Sequence, residues 1–193
     1  MNNKVKGKLF VLSGPSGVGK GTVLKNLKKK SVDLDCSISA TTRDPRPGEV
    51  DGEDYFFISK EKFFEMKAND EFIETAKVHN NYYGTPRKNV DRCLANNENI
   101  ILEIDIQGAK QIKDNYPEAI LIFLVPPSFS ELKNRLEKRD SEDENSKQLR
   151  LKNAKSELQE KVHFDYEIIN DKLTKAVKKL QQIIQKETSS KKG

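Results

Sequence analysis

Residues 14 to 22 read Gly14-Pro15-Ser16-Gly17-Val18-Gly19-Lys20-Gly21-Thr22, and this stretch decides the fold. It follows the short apolar run Leu9–Leu12 and precedes a segment with the apolar spacing of a helix. A strand, a glycine-rich loop and a helix with a lysine at its start form the P-loop arrangement. The pattern therefore predicts that the chain is built around a phosphate-binding loop.

The residue types in the loop suit phosphate for physical reasons. Glycines let the backbone turn with positive φ and approach a ligand, so that successive N–H groups point into one concavity. The positive end of the helix dipole favours an anion there, and Lys20 would lie on the β- and γ-phosphates. A glycine-rich turn without a ligand is the alternative, and the flanking strand and helix favour phosphate. Gly21 follows the lysine where many P-loops have a hydroxyl that contacts Mg²⁺, and Thr22 comes next.

Composition limits the class of protein. The chain has 193 residues, 34% of them charged and 35% hydrophobic, which suits one domain with a highly charged surface. The net charge is +5 without an overwhelmingly basic segment, which favours anionic small-molecule substrates or a solvated lysine-rich surface over nucleic acid. Cys36 and Cys93 lack the spacing of a metal or redox site. With no apolar stretch of membrane-spanning length, we expect a soluble, cytoplasmic protein.

A second cationic cluster lies in the stretch Thr41-Thr42-Arg43-Asp44-Pro45-Arg46-Pro47-Gly48-Glu49. The guanidinium group presents a planar fork that matches two phosphate oxygens, so two arginines three residues apart predict a second anion site. Taken alone, the segment would read as a charged solvent loop.

The remaining chain alternates strand and helix patterns. Apolar runs at 99–105 and 119–125 predict buried strands of a parallel sheet, and the first ends in Glu103 and Asp105 at the edge where α/β sheets bind ligands. Residues 36–88 read as a small mixed lobe inserted between core elements. Within and after it, the sequence predicts a strand at 54–58, a helix starting at Thr85-Pro86 and a helix over 146–162. The charged run 135–145 reads as a solvated loop or as a lid that lays arginines over a nucleotide.

These pieces together resemble the guanylate kinase family of nucleoside monophosphate kinases, from Leu9 to about Ile184. The resemblance rests on five motifs in the family order, which are GPSGVGKGT at 14–22, TTRDPRPGE at 41–49, YYGT at 82–85, LEIDIQG at 102–108 and RLEKR at 135–139. It implies an α/β P-loop NTPase fold with a parallel core sheet flanked by helices. It also implies one domain in three parts, with a core (about 1–35, 89–127 and 151–193), a GMP-binding lobe (about 36–88) and a lid (about 128–150).

The resemblance implies a GMP site in the lobe. Its phosphate-binding residues would be Ser39, Arg43, Arg46, Tyr55 and Tyr83. Glu74 would accept hydrogen bonds from guanine N1–H and the 2-amino group, Thr85 would meet guanine O6, and Asp105 would lie near the ribose and base. The family often has serine at the position of Thr85, and the hydroxyl is kept.

The resemblance also implies an ATP site made by the loop residues 14–22 with Asn170 on the adenine side. Lys20, Arg43, Arg135, Arg139 and Arg150 would act in catalysis by gripping the phosphates. Mg²⁺ would be held mainly by phosphates and waters near Thr22 and Glu103, the latter position varying between Asp and Glu in the family. The implied reaction is ATP-dependent phosphorylation of GMP, and of dGMP, in purine nucleotide metabolism.

Three other functions are compatible with the sequence. Guanylate-kinase-like domains of scaffold proteins bind protein partners and lack turnover, so a non-catalytic binding module is the first alternative. A kinase for another small phosphorylated acceptor is the second, and Glu74 with Thr85 argues against it. A basic nucleic-acid binder is the third. The sequence leaves the oligomeric state unknown.

Overall fold

A computed structural model describes residues 7–30, 32–78, 80–137 and 144–189, without the side chains of 144–150. Its strands are β1 (Leu9–Ser13), β2 (Asp35–Cys36), β3 (Ala40–Thr41), β4 (Phe56–Phe57), β5 (Phe72–Val78), β6 (Asn81–Pro86), β7 (Ile100–Glu103), β8 (Ile120–Val125) and β9 (Tyr166–Ile169). Its helices are α1 (Lys20–Lys28), α2 (Lys60–Ala68), α3 (Arg87–Ala95), α4 (Ile106–Asn115), α5 (Phe129–Glu137), α6 (Glu144–Glu157) and α7 (Leu173–Ser189), and a 3-10 helix covers Leu158–His163.

The strands form two sheets. The first has the order β2-β7-β1-β8-β9, and the second has the order β4-β3-β6-β5. Pairing is parallel between β2 and β7 and between β8 and β9, as the buried apolar runs predict. The second sheet is mixed, because β3 runs parallel to β4 and antiparallel to β6. The P-loop type of α/β fold predicted from the sequence is therefore confirmed.

The chain divides into two compact units. The first comprises the described parts of Met1–Val11 and Asp33–Ala119, and the second those of Leu12–Val32 and Ile120–Gly193. The predicted lobe 36–88 falls within the first unit, and the predicted lid 128–150 within the second. The division into core, lobe and lid stays a prediction.

The core of the second unit is formed by a strand and two helices. All six residues of β8 are buried, as expected for a strand covered on both faces. Helix α7 buries one stripe at helical spacing and packs against α1. The buried residues of that stripe are Ala176, Val177, Leu180, Ile183 and Ile184. The loop that follows β1 leads into α1, so the packing of α1 on α7 holds the end of that loop.

The first unit holds a hairpin that positions several predicted site residues. Strands β5 and β6 pair in an antiparallel ladder around a turn in which Asn80 has φ of 65°. The register shifts between Phe72 and Glu74, so one extra residue enters β5 directly before Glu74. Such a bulge re-aims the side chain that follows it. The Phe63 ring of α2 stacks on the Phe72 ring of β5, with 4.8 Å between the ring centroids.

Some predicted boundaries are wrong. The helix predicted to start at Thr85-Pro86 begins at Arg87 with Pro86 as its N-cap, and Thr85 belongs to β6. Thr85 is committed to the ladder opposite Glu74, and that pairing overrides the local proline signal.

Other elements differ in length or type from their predictions. The strand predicted at 54–58 is confined to Phe56–Phe57, and the helix predicted over 146–162 changes to 3-10 geometry after Glu157. The predicted strand 99–105 ends at Glu103. Among the described residues, no helix has the length and apolar character needed to cross a membrane.

Candidate active site

The glycine-rich loop connects the carboxyl end of β1 to α1, as predicted. Gly14 has φ of 145°, and a Cβ there would lie 2.3 Å from the Leu124 carbonyl oxygen of β8. Gly19 has φ of 98° and occupies the N-cap of α1 in a left-handed conformation. Both positions therefore require glycine, the first because the backbones approach closely and the second because of its dihedral angle.

Two contacts of the loop mark its charge preference. Lys20 Nζ donates to the carbonyl oxygens of Gly14 at 2.6 Å and Pro15 at 3.3 Å, which holds the ammonium group against the loop. The main-chain N–H of Ser16 donates to Glu157 Oε2 at 3.3 Å. A carboxylate oxygen thus already lies at a loop N–H group, which is the kind of partner that these donors and the start of α1 favour.

Asn170 and Arg135 support the loop from outside. The Asn170 side chain is buried, and its Nδ2 donates to the Val18 carbonyl oxygen at 2.8 Å. Arg135 donates to the same carbonyl at 3.4 Å and to the Asn170 carbonyl at 3.0 Å, while its Nε pairs with Glu131 at 2.9 Å. The predicted adenine-side residue and one predicted catalytic arginine are therefore joined to the loop. The pairing of Asn170 with the loop backbone is a contact that the sequence did not indicate.

The arginine loop in the first unit is held by an acid. Arg43 Nη2 lies 2.9 Å from Glu49 Oε2, and the Arg43 side chain is only 13% exposed. The main-chain N–H of Arg46 donates to the same carboxylate at 2.7 Å, so Glu49 organises both arginine positions. Arg43 Nε is buried and has no hydrogen-bond partner among the described residues. A buried cationic donor without a partner is costly, which fits a site that receives an anion.

Aromatic rings cover the Arg43 guanidinium. Its Cζ lies 5.5 Å from the centroid of Tyr55 and 5.7 Å from that of Phe57, within cation–π range. The Tyr83 ring meets Tyr55 edge-on at 6.1 Å. Burial, with a further contribution from the charge of Glu103, raises the pKa of Tyr55, so its phenol remains a neutral O–H donor. Arg43, Tyr55 and Tyr83 thus lie together, and their binding of a phosphate stays a prediction.

A chain of polar side chains lies beside this cluster. Thr85 Oγ1 donates to Glu74 Oε1 at 2.6 Å, and Ser39 Oγ lies 3.4 Å from Thr85 Oγ1. Ser39, Glu74 and Thr85 are all buried. Burial raises the pKa of Glu74 to about 7, with the Thr85 hydrogen bond opposing this and the charge of Asp105 adding to it. The site therefore holds a buried carboxylate that is balanced between its charged and neutral forms near neutral pH.

Asp105 has a structural task in this region. It is the N-cap of α4, where its Oδ1 accepts a hydrogen bond from the Gly108 N–H at 2.9 Å. The Gln107 side chain donates to its other oxygen at 3.2 Å. The predicted ligand-binding acid is consequently fixed at the start of a helix, and its charge is felt by Glu74.

Oxygen donors for a metal ion are few in the predicted positions. Thr22 is an exposed hydroxyl in the first turn of α1, and Glu103 is a half-buried carboxylate at the end of β7. Another group, Asp35, Cys93 and Glu98, brings its ligand atoms within 4.8 Å of one another. There Arg92 pairs with Asp35 at 3.1 Å and with Glu98 at 3.2 Å, and burial raises the pKa of the Cys93 thiol to about 11. The Arg92 guanidinium group therefore already pairs with both carboxylates of that second group.

The structure describes most predicted site residues. Two predicted arginines lie outside the description, since Arg139 is not among the described residues and only the backbone of Arg150 is described, in α6. Sequence reasoning assigned no role to Glu49, Glu157 or Gln111. Glu49 ends the quoted arginine motif, which was the one available signal.

A glycine-rich loop between a buried β1 and α1, with Lys20 on the first turn, defines a P-loop nucleotide-binding protein. A family model described as Guanylate kinase matches residues 6–187. The sequence is 51% identical over 184 residues to a guanylate kinase of Oceanobacillus iheyensis, covering 95% of this chain and 89% of that protein. Its identity to a guanylate kinase of Caldanaerobacter subterraneus is 50%, with the same coverage of each chain. The chain belongs to the guanylate kinase family.

Structural comparison agrees with that assignment. The crystal structure of guanylate kinase from Anaplasma phagocytophilum matches with a TM-score of 0.82 at 33% identity, covering 96% of this chain and 88% of that one. A gluconokinase from Sinorhizobium meliloti matches with a TM-score of 0.51 at 13% identity, which shows a shared fold alone.

Proposed function

We propose that this protein transfers the γ-phosphoryl group of ATP to the phosphate of GMP, yielding ADP and GDP. In this reaction a bond forms between a GMP phosphate oxygen and the γ-phosphorus, and the bond from that phosphorus to the β-phosphate oxygen breaks. Family membership supports the reaction. The single observation that carries the choice of acceptor is the buried Glu74 carboxylate with the Thr85 hydroxyl 2.6 Å away.

Glu74 and Thr85 suit guanine because of their donors and acceptors. Guanine offers two neighbouring donors, N1–H and the 2-amino group, to the two carboxylate oxygens. Adenine has an acceptor at N1, so it would leave a buried carboxylate oxygen unpaired, which is expensive. The Thr85 hydroxyl has a single hydrogen, so its donation to guanine O6 would replace its bond to Glu74.

The arginine loop suits the acceptor phosphate. Arg43 and Arg46 provide guanidinium groups, and Ser39, Tyr55 and Tyr83 provide hydroxyl groups, for an anion that is itself the nucleophile. Because the GMP phosphate is anionic at neutral pH, the reaction needs no dedicated base. Positioning and charge neutralisation supply the catalysis, as in phosphoryl transfer generally.

The glycine-rich loop suits the donor. Its N–H groups would receive the ATP phosphates, and Lys20 would exchange its contacts with Gly14 and Pro15 for phosphate oxygens. Arg135 contacts the loop and would neutralise charge on the transferring group. Arg139 and Arg150 are proposed for the same task on the resemblance alone, and Asn170 for the adenine side.

The donor atoms fit Mg²⁺ as the ion that accompanies ATP. Mg²⁺ prefers oxygen ligands and keeps several waters, so it needs few protein groups. Thr22 offers a hydroxyl oxygen in the first turn of α1, and Glu103 offers a carboxylate oxygen at the end of β7. When bound near these residues, Mg²⁺ would supply positive charge that offsets the charge of the phosphates. Phosphorylation of dGMP and a cytoplasmic location remain predictions.

The test replaces Glu74 by glutamine and compares kcat/KM for GMP and AMP at saturating ATP. One accepting oxygen becomes an NH₂ donor, so one guanine donor faces a donor at a cost of about 1–3 kcal/mol. We expect kcat/KM for GMP to fall and the GMP-to-AMP ratio to narrow. Glu71→Gln, the same change at an exposed position three residues away, is the matched control. An unchanged ratio in Glu74→Gln would contradict the guanine assignment.

A further inference from the structure

Helix α4 lies along β5, which is the outer strand of the mixed sheet. The Gln111 side chain makes two hydrogen bonds to the main chain of one β5 residue. Thr75 N–H donates to Gln111 Oε1 at 3.1 Å, and Gln111 Nε2 donates to the Thr75 carbonyl at 2.8 Å. An amide side chain thus supplies the donor and acceptor that a further strand would supply. These two hydrogen bonds hold Thr75, the residue after Glu74, against α4.

Gly108, one turn earlier on the same helix, faces the carboxylate itself. A Cβ at Gly108 would lie 2.3 Å from Glu74 Oε2 and 3.0 Å from its carboxyl carbon. The carboxylate therefore occupies the volume that any other residue at this position would fill. Glu74 Oε1, on the other side, accepts from Thr85 at 2.6 Å. Its two oxygens are set between a hydroxyl donor and a bare helix backbone.

We propose that Gly108 and Gln111 are positioning residues that hold the Glu74 carboxylate in place for the guanine base. This inference rests on the proposed function, since it concerns how Glu74 is oriented for the base. Gln111 fixes the backbone of β5 relative to α4. Gly108 leaves the space into which the side chain extends. The bulge directly before Glu74 sets the direction of that side chain, and α4 then limits where the carboxylate ends.

Helix stability does not explain a glycine at position 108. Glycine within a helix is less favourable than alanine, so alanine there would ordinarily stabilise the protein. The main-chain N–H that caps with Asp105 would remain in Gly108→Ala. The atom closest to the new methyl group is the end of a side chain, so the fold can accept it by moving the carboxylate. Stability and base recognition are therefore expected to respond differently to this substitution.

The first variant is Gly108→Ala, assayed with GMP and AMP at saturating ATP and with ATP at saturating GMP. Displacing a recognition group by about 1 Å can cost up to about 100-fold in rate. We expect a loss of about 10-fold or more in kcat/KM for GMP, with a narrower GMP-to-AMP ratio. The KM for ATP should not rise, and the melting temperature should not fall. Asp114→Asn, an exposed change on the same helix, is the control.

A double-mutant cycle then tests the direct contact. Aspartate at position 74 is one methylene shorter, so its carboxylate withdraws from the methyl group at position 108. Residues in contact show non-additive effects. Glu74→Asp should therefore cost less kcat/KM for GMP in the Gly108→Ala background than in the natural sequence. Additive costs would overturn the contact between position 108 and the carboxylate.

Gln111→Met provides a second route if Gly108→Ala folds poorly. It keeps the length of the side chain and removes both hydrogen bonds to Thr75, so KM for GMP should rise while KM for ATP holds. If Glu74→Gln changes the GMP-to-AMP ratio but neither Gly108→Ala nor Gln111→Met does, the positioning role is wrong and the proposed function stands. If Glu74→Gln leaves that ratio unchanged, the guanine-reading role of Glu74 fails, and the inference fails with it.

Discussion

The Glu157 carboxylate accepts a hydrogen bond from the main-chain N–H of Ser16 at 3.3 Å, across 141 positions of the chain. This bond places an acidic oxygen on one of the donors that the glycine-rich loop offers to phosphate. A carboxylate and a phosphate group cannot share that donor equally, because their charges repel. We therefore expect ATP to compete with Glu157 for the Ser16 N–H.

Glu157→Gln is expected to lower the KM for ATP. The half-exposed contact is comparable to a surface ion pair, which contributes up to about 1 kcal/mol, so the change should be about fivefold or less. The KM for GMP should remain the same. Glu53→Gln removes one exposed negative charge elsewhere and serves as the control. A higher KM for ATP in Glu157→Gln would mean that Glu157 assists the nucleotide.

Lys20→Ala is expected to remove most phosphoryl transfer while the fold survives. The ammonium group lies on the loop carbonyls, outside the apolar core, so its loss costs little packing. Removing a group that stabilises developing charge typically costs about 100- to 1000-fold in kcat. The measurement is kcat at saturating ATP and GMP, with circular dichroism to verify folding. A kcat near that of the natural protein would contradict the role of the loop.

Arg43→Ala is expected to weaken GMP binding and leave ATP binding intact. Hydrogen bonds to charged groups contribute about 1.5–3 kcal/mol, which corresponds to about 10- to 150-fold in affinity. Titration calorimetry with each nucleotide gives the two dissociation constants. Arg92→Ala removes a half-exposed arginine that pairs with Asp35 and Glu98, and it should alter neither constant. Equal losses for ATP and GMP in Arg43→Ala would contradict separate phosphate sites.

The pH dependence of stability should reflect Glu74. Because its pKa is raised from 4.5 to about 7, the native protein retains a proton that the unfolded chain releases in that window. The contribution of Glu74 to the free energy of unfolding is therefore fully present below pH 4.5, and it is lost as the pH rises through 7. Its upper bound is about 3 kcal/mol.

Glutamine cannot ionise, so Glu74→Gln should remove the loss of stability that accompanies ionisation of Glu74 at rising pH. We expect its melting temperature to exceed that of the natural protein more at pH 8 than at pH 5. A difference of about 1 kcal/mol corresponds to about 2–4 °C at this size. An advantage that is equal at both pH values would mean that Glu74 titrates as an exposed carboxyl group does. Glu71→Gln again controls for the change in charge.

The elements that were predicted correctly have local causes. The strand before Gly14 is a continuous apolar run, and the loop glycines precede a helix with a clear apolar face, so neighbouring residues suffice. The same holds for β8, which lies within the apolar run 119–125. The family resemblance supplied Arg43, Tyr55 and Tyr83, which lie together in the first unit.

The features that were missed depend on distant residues. Asn170 supports the carbonyl of Val18 across 152 positions, and Gln111 bonds Thr75 across 36. Neither pairing leaves a local pattern in the sequence. Thr85 was placed at a helix start because the neighbouring proline dominates the local signal, whereas cross-strand pairing with Glu74 decides its conformation. Tertiary contacts of this kind require the fold before they can be seen.

The proposed reaction uses ATP as the phosphoryl donor and GMP as the preferred acceptor. The most direct measurement incubates the protein with ATP and Mg²⁺ and either GMP, AMP, CMP or UMP, and separates the nucleotide products by chromatography. We expect rapid formation of equal amounts of ADP and GDP with GMP, and far slower turnover with the other three acceptors. Equal turnover of AMP and GMP, or no GDP from GMP by a folded protein, would contradict it.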